Sequence, residues 1–150
     1  MRLGAALASS LETVNPGALL LYGGLGSGKT TLVRTLAERL EGGKSAEVSS
    51  PSFTICNIYC TAPLVHHFDL YRLDPEVIPE ELEESLDRDD VFTIVEWPDG
   101  LSHRDRPRDG IACRLTVRDS CEVRAVELAP LGPMGKVFLD SMNLSAEQNS

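Results

Sequence analysis

The feature that most restricts the fold of this chain is a glycine-rich loop that ends in a lysine and a threonine. Residues 23–30 read GGLGSGKT and fit the pattern G-x-x-x-x-G-K-[ST]. An apolar run of strand length, Ala18–Tyr22, precedes the loop, and an amphipathic stretch, Thr30–Leu40, follows it. Glycines let such a loop wrap with its N–H groups pointing inward, and the next helix aims its N-terminus at the same point. The pattern therefore predicts a strand, a phosphate-binding loop and a helix in succession.

Three side chains at the end of this loop have roles that the pattern predicts. Lys29 is expected to reach the terminal phosphates of a nucleotide, Thr30 to offer its hydroxyl to Mg²⁺, and Thr31 to bond the α-phosphate. The alternative is a glycine-rich turn that only joins the strand to the helix. Because strand, loop, Lys-Thr pair and helix all agree, the sequence favours nucleotide binding.

Strands and helices alternate along most of the chain, and strands alone follow. This order predicts an α/β fold, similar to phosphate-loop NTPases, with a mostly parallel sheet flanked by helices and an antiparallel hairpin at the C-terminal side. The hairpin joins Ile111–Arg118 to Cys121–Leu128. The other expected elements are helices over 3–12, 30–40 and 79–86, and strands over 18–22, 54–60, 64–70 and 92–97. We expect one domain over 1–142 and a disordered tail over 143–150.

A carboxylate at the end of a buried strand is the second part of a nucleotide site, since it can hold Mg²⁺ directly or through water. Two candidates exist. The apolar run Phe92–Val95 ends in Glu96, and Leu64–Phe68, interrupted by two histidines, ends in Asp69. We predict Glu96 as the metal ligand and Asp69 as the acid that orients water or the γ-phosphate. A helix cap or a surface salt bridge is the alternative for either acid.

The segment Ser50–Thr54, which reads SPSFT, precedes the second strand. Phosphate-loop proteins often hold a switch at this position, whose hydroxyl senses the γ-phosphate and Mg²⁺. Ser52 or Thr54 could have that role. A plain proline-containing turn is equally consistent with the local chemistry.

Composition restricts the location of the protein. No apolar run approaches the roughly 20 residues of a membrane-spanning helix, and the first residues lack the apolar region of a secretion signal. The four cysteines, at 56, 60, 113 and 121, include no C-x-x-C pair. We therefore expect a cytoplasmic protein with free thiols.

The net charge of −9 is concentrated in one acidic segment, residues 74–90. This segment has nine acidic residues and one basic residue, so its charge is −8. It is either a solvated helix face or a docking surface for a basic patch on a partner. Such an acidic chain is not expected to bind tRNA by itself, because contacts to the phosphate backbone require clustered lysine and arginine. The acidic residues are Asp74, Glu76, Glu80, Glu81, Glu83, Glu84, Asp87, Asp89 and Asp90.

Four segments together resemble the TsaE family, the bacterial ATPases of tRNA threonylcarbamoyladenosine synthesis. They are GGLGSGKTT at 23–31, SPSFT at 50–54, HFDLYRL at 67–73 and VEWPD at 95–99. The resemblance implies ATP or ADP and Mg²⁺ as ligands. It also implies that the protein acts with TsaB and TsaD, which transfer a threonylcarbamoyl group to the adenosine next to the anticodon. ATP hydrolysis would reset that complex between turnovers and would be weak without the partners.

The resemblance also implies site residues. Gly26, Ser27, Gly28, Lys29, Thr30 and Thr31 would bind the phosphates. Thr30 and Glu96 would hold Mg²⁺, and loss of Asp69 would impair turnover. Trp97 beside Glu96 is either part of this site or a core residue. The family has an aspartate where this chain has Gly24, a threonine where it has Ser52, and an adenine-holding segment ahead of the first helix.

Other functions make different demands on the sequence. A GTPase would need an N-K-x-D motif, which the chain lacks. A small-molecule kinase would need a cationic lid, for which Arg72, Arg118 and Arg124 are the candidates. A nucleotide-gated binding module without significant hydrolysis is the remaining alternative.

Overall fold

The computed structural model describes residues 2–51, 54–118 and 123–148, with side chains for all of these except 123–124 and 143–148. The helices are α1 (Arg2–Leu11), α2 (Lys29–Arg39), α3 (Glu80–Leu86) and α4 (Pro133–Gln148). The strands are β1 (Ala18–Tyr22), β2 (Cys56–Tyr59), β3 (Leu64–Asp69), β4 (Val91–Glu96), β5 (Ile111–Arg118) and β6 (Val123–Pro130). Short 3-10 turns cover Gly43–Ser45 and Pro98–Gly100.

The six strands form one sheet in the order β2-β3-β4-β1-β5-β6. The four central strands are parallel, whereas β2 and β6 run antiparallel to their neighbours at the two edges. The predicted α/β class with a mostly parallel sheet and a C-terminal antiparallel hairpin is confirmed. The turn of this hairpin, Asp119-Ser120, lies outside the described residues. The antiparallel pair at the opposite edge was not predicted, and it forms because the short link 60–63 allows β3 to return directly along β2.

Apolar side chains cover both faces of the sheet, which makes three layers. On β1, Leu19 and Leu21 belong to one core and Leu20 to the other, because successive side chains of a strand point to opposite faces. The first core lies under α1, α2 and α4, and the second lies under α3. The first includes Leu7, Leu11, Leu32, Leu36, Phe92, Ile94 and Phe138, and the second includes Phe68, Leu82, Val95 and Leu101.

The carboxyl ends of the parallel strands meet at one edge of the sheet, directly beside the loop that leads into α2. Glu96 is the register partner of Leu21 on one side and of Asp69 on the other. These positions alternate with Val95 and Phe68 of the second core, so both carboxylates lie on the face that α2 covers. The fold therefore brings the two predicted acids to the start of α2.

The helix α4 differs from our prediction. The prolines, glycines and polar residues after position 129 pointed to irregular structure, and residues 143–150 were expected to be a disordered tail. Instead α4 begins at Pro133 and continues to Gln148. Its stabilising contacts come from Phe138, which is fully buried, and from Leu139 and Met142, which pack against the first core. Burial of such a side chain contributes about 1.5–3 kcal/mol, which offsets a weak helical pattern.

The described cysteines are free thiols at Cys56, Cys60 and Cys113. Burial raises the pKa of the Cys56 and Cys113 thiols to about 11, so both stay protonated at neutral pH. Within the described ranges no three histidine, cysteine or acidic side chains are grouped to hold a metal. The helices of those ranges also include none with the length and apolar character needed to cross a bilayer.

Candidate nucleotide-binding site

The loop between β1 and α2 depends on glycines at specific positions. Gly23, Gly26 and Gly28 have φ of +152°, +73° and +100°, a region that side chains with a Cβ rarely adopt. At Gly23 a Cβ would also lie 2.7 Å from the Leu115 carbonyl oxygen, because the loop crosses β5 closely. Gly28 is the N-cap of α2, so the unpaired N–H groups of the first turn open onto the loop. This cradle of donors and positive helix dipole suits an anion.

The Lys29 side chain folds back over this loop and is almost fully buried. Its ammonium donates to the carbonyl oxygens of Gly23 at 2.6 Å and of Gly24 at 2.9 Å. The same Nζ lies 4.0 Å from the centre of the Trp97 ring. Burial lowers the pKa of Lys29 from its ordinary value, and nearby carboxylates, Glu96 foremost, act in the opposite direction. The loop therefore holds a cation at its centre.

Thr30 and Glu96 lie in direct contact at the start of α2. The Thr30 hydroxyl donates to Glu96 Oε1 at 3.1 Å. The same oxygen lies 3.2 Å from His67 Nε2, and His67 Nδ1 lies 2.9 Å from the Tyr59 hydroxyl. Glu96 is 2% exposed and His67 is 0% exposed. The predicted metal ligands are thus neighbours, and a buried histidine that sequence reasoning missed supports one of them.

Asp69 is held by two donors at the rim of the same site. The Ser50 hydroxyl donates to its Oδ2 at 2.6 Å, and the Tyr71 N–H donates to its Oδ1 at 2.9 Å. With 9% of its surface exposed, Asp69 is neither a helix cap nor a surface ion pair. The carboxylate is fixed in orientation as an acceptor.

Trp97 covers the site rather than the core. It is half-buried, with φ of +57°, and its ring packs against Tyr71 with centroids 4.7 Å apart. A non-glycine residue in this backbone region is costly and is often found where function requires it. The core interpretation of Trp97 is therefore wrong, and its ring instead faces the Lys29 ammonium.

One cavity of about 410 Å³ collects these residues. All eight predicted site positions line it: Gly26, Ser27, Gly28, Lys29, Thr30, Thr31, Asp69 and Glu96. The Ser27 hydroxyl is buried and has no hydrogen-bond partner in the described part of the chain. This volume falls in the range of small-molecule sites. Arg72 and Trp97, which the sequence offered as candidates, also line the cavity, as do Leu25, Ser50 and Tyr71, which it did not assign to the site.

Of the two candidate switch hydroxyls, only that of Thr54 belongs to the described chain, and its hydrogen bond is not to Asp69 or Glu96. Ser52 lies outside the described residues, and the Thr54 hydroxyl donates to Asn57 Oδ1 at 3.0 Å. Ser50, two residues earlier, makes the contact with Asp69. Ser50 and His67 belong to the SPSFT and HFDLYRL segments, which is the signal in the sequence that could have identified them.

The three candidate cations of the sequence have different positions. Arg72 lines the cavity. Arg118 ends β5 and does not line it, and the side chain of Arg124 lies outside the described residues.

These observations define an α/β protein with a phosphate-loop sequence between its first strand and the next helix. A model of the family described as "Threonylcarbamoyl adenosine biosynthesis protein TsaE" matches residues 1–125. The chain therefore belongs to the TsaE family, which takes part in the biosynthesis of threonylcarbamoyladenosine in tRNA. The identification made from the sequence is confirmed.

Curated relatives support this assignment. The chain is 41% identical over 88 residues to the TsaE protein of Synechocystis, a match that covers 55% of this chain and 55% of that protein. It is 35% identical over 125 residues to the TsaE protein of Nostoc, covering 79% and 74%. The TsaE protein of Streptomyces coelicolor is 35% identical over 121 residues, covering 76% and 80%. The match thus spans about half the length of the first relative and about three quarters of the other two.

A solved structure has the same fold. The crystal structure of YdiB from Bacillus subtilis matches with a TM-score of 0.74, covering 97% of this chain and 89% of that chain. The two sequences are 22% identical over this match. The likeness therefore concerns the arrangement of helices and strands.

Proposed function

We propose that this chain is a cytoplasmic, Mg²⁺-dependent ATP-binding protein and a partner-activated ATPase. It would act with TsaB and TsaD in threonylcarbamoyl transfer to the adenosine next to the anticodon of tRNA. The observation that carries the proposal is the single cavity lined by the glycine-rich loop, Asp69 and Glu96. Membership of the TsaE family supports the pathway.

The loop and the start of α2 would bind the phosphates of ATP. Residues 26–31 line the cavity, and the dipole at the start of α2 favours negative charge there. Lys29 would exchange its contacts with the Gly23 and Gly24 carbonyl oxygens for contacts with phosphate oxygens. A hydrogen bond between an ammonium and a charged phosphate oxygen is stronger than one to a neutral carbonyl oxygen, so this exchange favours the bound nucleotide.

Thr30 and Glu96 fit a Mg²⁺ ion, because both present oxygen atoms and their side chains are already in contact. Mg²⁺ is commonly held by one or two protein oxygens together with phosphates and water. When bound, it would neutralise charge on the phosphates and fix their orientation. Asp69, held by Ser50 and by the Tyr71 N–H, would orient the attacking water or the γ-phosphate.

Phosphate release tests this proposal. The purified chain should release phosphate from ATP slowly with Mg²⁺, and addition of TsaB and TsaD should raise the rate severalfold. Glu96→Gln should lower this Mg²⁺-dependent release about 100-fold while ATP affinity stays within about threefold, because the loop still binds the phosphates. Glu12→Gln, an exposed change outside both the cavity and the acidic segment, is the control and should match the wild type.

Other results would favour other functions. Nucleotide-dependent binding to TsaB and TsaD with no rise in release would indicate a nucleotide-gated binding module. Phosphorylation of a small molecule without partners would indicate a kinase and contradict the proposal. If Glu96→Gln turns over as fast as the wild type, the metal role belongs to Asp69.

A further inference from the structure

Two donors converge on one oxygen of the buried Glu96 carboxylate. Thr30 Oγ1 lies 3.1 Å and His67 Nε2 lies 3.2 Å from Glu96 Oε1. The contact follows from register, since His67 is paired with Ile94 and Glu96 is two residues further along the same face. Both of these hydrogen bonds of the Glu96 carboxylate end on Oε1, so neither of them uses Oε2.

The partners of the His67 ring assign its tautomer. Glu96 Oε1 can only accept, so Nε2 must carry a hydrogen. In a neutral ring Nδ1 is then an acceptor, and the Tyr59 hydroxyl, 2.9 Å away, donates to it. Tyr59 is 5% exposed and lies on β2, beside His67 on β3. Both nitrogens are therefore satisfied, and the ring cannot turn without breaking a buried hydrogen bond.

Tyr59 also lies close to the loop that includes Ser50, the hydrogen-bond donor to Asp69. The Tyr59 oxygen lies 3.4 Å from the Ser49 carbonyl oxygen, but its one hydrogen is donated to His67, and the carbonyl oxygen accepts instead from Asn57 Nδ2 at 3.1 Å. The next residue, Ser50, donates to Asp69 at 2.6 Å. One short segment, 49–50, thus donates a hydrogen bond to Asp69 and lies close to the Tyr59 hydroxyl that holds His67.

We propose that His67 is a positioning residue of the metal site. Its Nε2–H fixes the Glu96 carboxylate so that Oε1 stays with Thr30 and Oε2 is left for Mg²⁺, and Tyr59 fixes the ring. The proposal rests on the proposed function. Loss of a residue that orients a metal ligand commonly costs 10- to 100-fold in metal affinity, which is about the effect expected here.

Magnesium dependence of ADP binding tests the proposal by calorimetry, without turnover. His67→Leu should raise the Mg²⁺ concentration for half-maximal enhancement of ADP binding about tenfold or more, with Mg²⁺-free affinity within about twofold. His67→Gln should recover most of this loss, because its amide N–H can donate to Glu96. Tyr59→Phe should give a smaller rise in the same direction.

The matched control is His66→Asn. His66 is also buried on β3, but it faces α3 and contacts Ser85, so its replacement should leave the magnesium dependence unchanged. An unchanged magnesium dependence in His67→Leu would overturn the proposal. So would a rise of the same size in His66→Asn, or a His67→Gln variant as impaired as His67→Leu.

The arrangement can also be tested without nucleotide. In nitrogen-15 spectra of histidine-labelled protein, His67 should be the Nε2–H tautomer, with a slowly exchanging proton whose signal shifts in Glu96→Gln. An Nδ1–H tautomer or a rapidly exchanging proton would overturn the proposed contact. If the wild type binds no ADP, the proposed function fails, whereas these spectra still decide the contact of His67 with Glu96.

Discussion

The Lys29 ammonium contacts two carbonyl oxygens of its own loop and the face of Trp97. The loop contacts are local in sequence, but the tryptophan comes from the far end of β4. An ammonium in this position is held by dipoles and a ring rather than by a salt bridge. It therefore keeps its charge available for a phosphate ligand.

Lys29→Ala should lower the affinity for ATP by about 100-fold or more, since it removes charged contacts of about 1.5–3 kcal/mol each. Titration calorimetry with ATP and with ADP measures the effect. Lys44→Ala is the control, because Lys44 is exposed on a 3-10 turn and does not line the cavity. Unchanged ATP affinity in Lys29→Ala would contradict the assignment of the phosphate loop.

The sequence predicted the individual residues of the candidate site better than the contacts between them. Lys29, Thr30 and Glu96 follow from motif and strand patterns, and the structure places them in one cavity. The roles of His67 and Ser50 depend on cross-strand register and on the course of a loop, which a single sequence does not specify. In the sequence, β3 looks like an apolar run that His66 and His67 interrupt. In the structure these histidines serve opposite faces of the sheet.

The loop before α2 illustrates how an element requires specific glycines. Gly23→Ala should lower the free energy of unfolding by about 1–3 kcal/mol, because its positive φ and its contact with Leu115 both oppose a Cβ. Gly24→Ala should change stability by less than about 0.5 kcal/mol, since nothing lies within 4 Å of its Cβ position. Denaturant unfolding of the two variants provides the comparison. Equal losses would show that the loop does not depend on Gly23.

Helix α3 is connected to the sheet by a small buried polar group. His66 Nδ1 lies 3.0 Å from the Ser85 hydroxyl, which lies 2.7 Å from the Thr93 hydroxyl. Burial and the positive charge of Arg88 lower the pKa of His66 below its ordinary 6.5, while Asp90 opposes them.

This lowered pKa predicts how stability depends on pH. The unfolded chain binds a proton at His66 at a higher pH than the folded chain does, so the free energy of unfolding should fall as the pH drops below about 6.5. His66→Asn should remove this part of the slope. Denaturant unfolding of the wild type and of His66→Asn between about pH 5 and 8 measures this slope. Because the other titrating groups are the same in both proteins, their contributions cancel when the two curves are subtracted. Identical slopes would contradict the prediction.

Strand order is the part of the architecture that local patterns could not supply. The sequence indicated each central strand, but β4 lies between β3 and β1, and that placement arises from non-local pairing. Helix α4 was missed because its buried positions are sparse and its segment contains prolines and glycines. Contacts with a core formed by distant residues decide both features.

On the scale of the whole molecule, the acidic segment, residues 74–90, contributes no residue to the lining of the candidate site. All nine acidic side chains of the acidic segment are exposed. This exposure is consistent with a solvated face and with a docking surface. In both cases the negative charge would attract a positively charged partner. Arg88 is paired with Asp90 at 2.7 Å, so the segment presents almost purely negative charge.

Neutralising Glu80, Glu81 and Glu84 to glutamine should weaken copurification with TsaB and TsaD, and salt should reduce the difference from the wild type. The control replaces the exposed Glu12, Glu38 and Glu41 with glutamine, which removes the same charge elsewhere. Pull-down at low and at high ionic strength measures both. Equal recovery of the two variants would indicate a solvated face.

The chain has one tryptophan, and it lies over the cation of the candidate site. A phosphate ligand that draws the Lys29 ammonium away from Trp97 removes a positive charge from the indole face. Indole emission responds to such charges, so the intensity and colour of the light from Trp97 should follow occupancy of the cavity. The protein therefore contains its own optical probe, and filling of the site can be followed in real time without a dye.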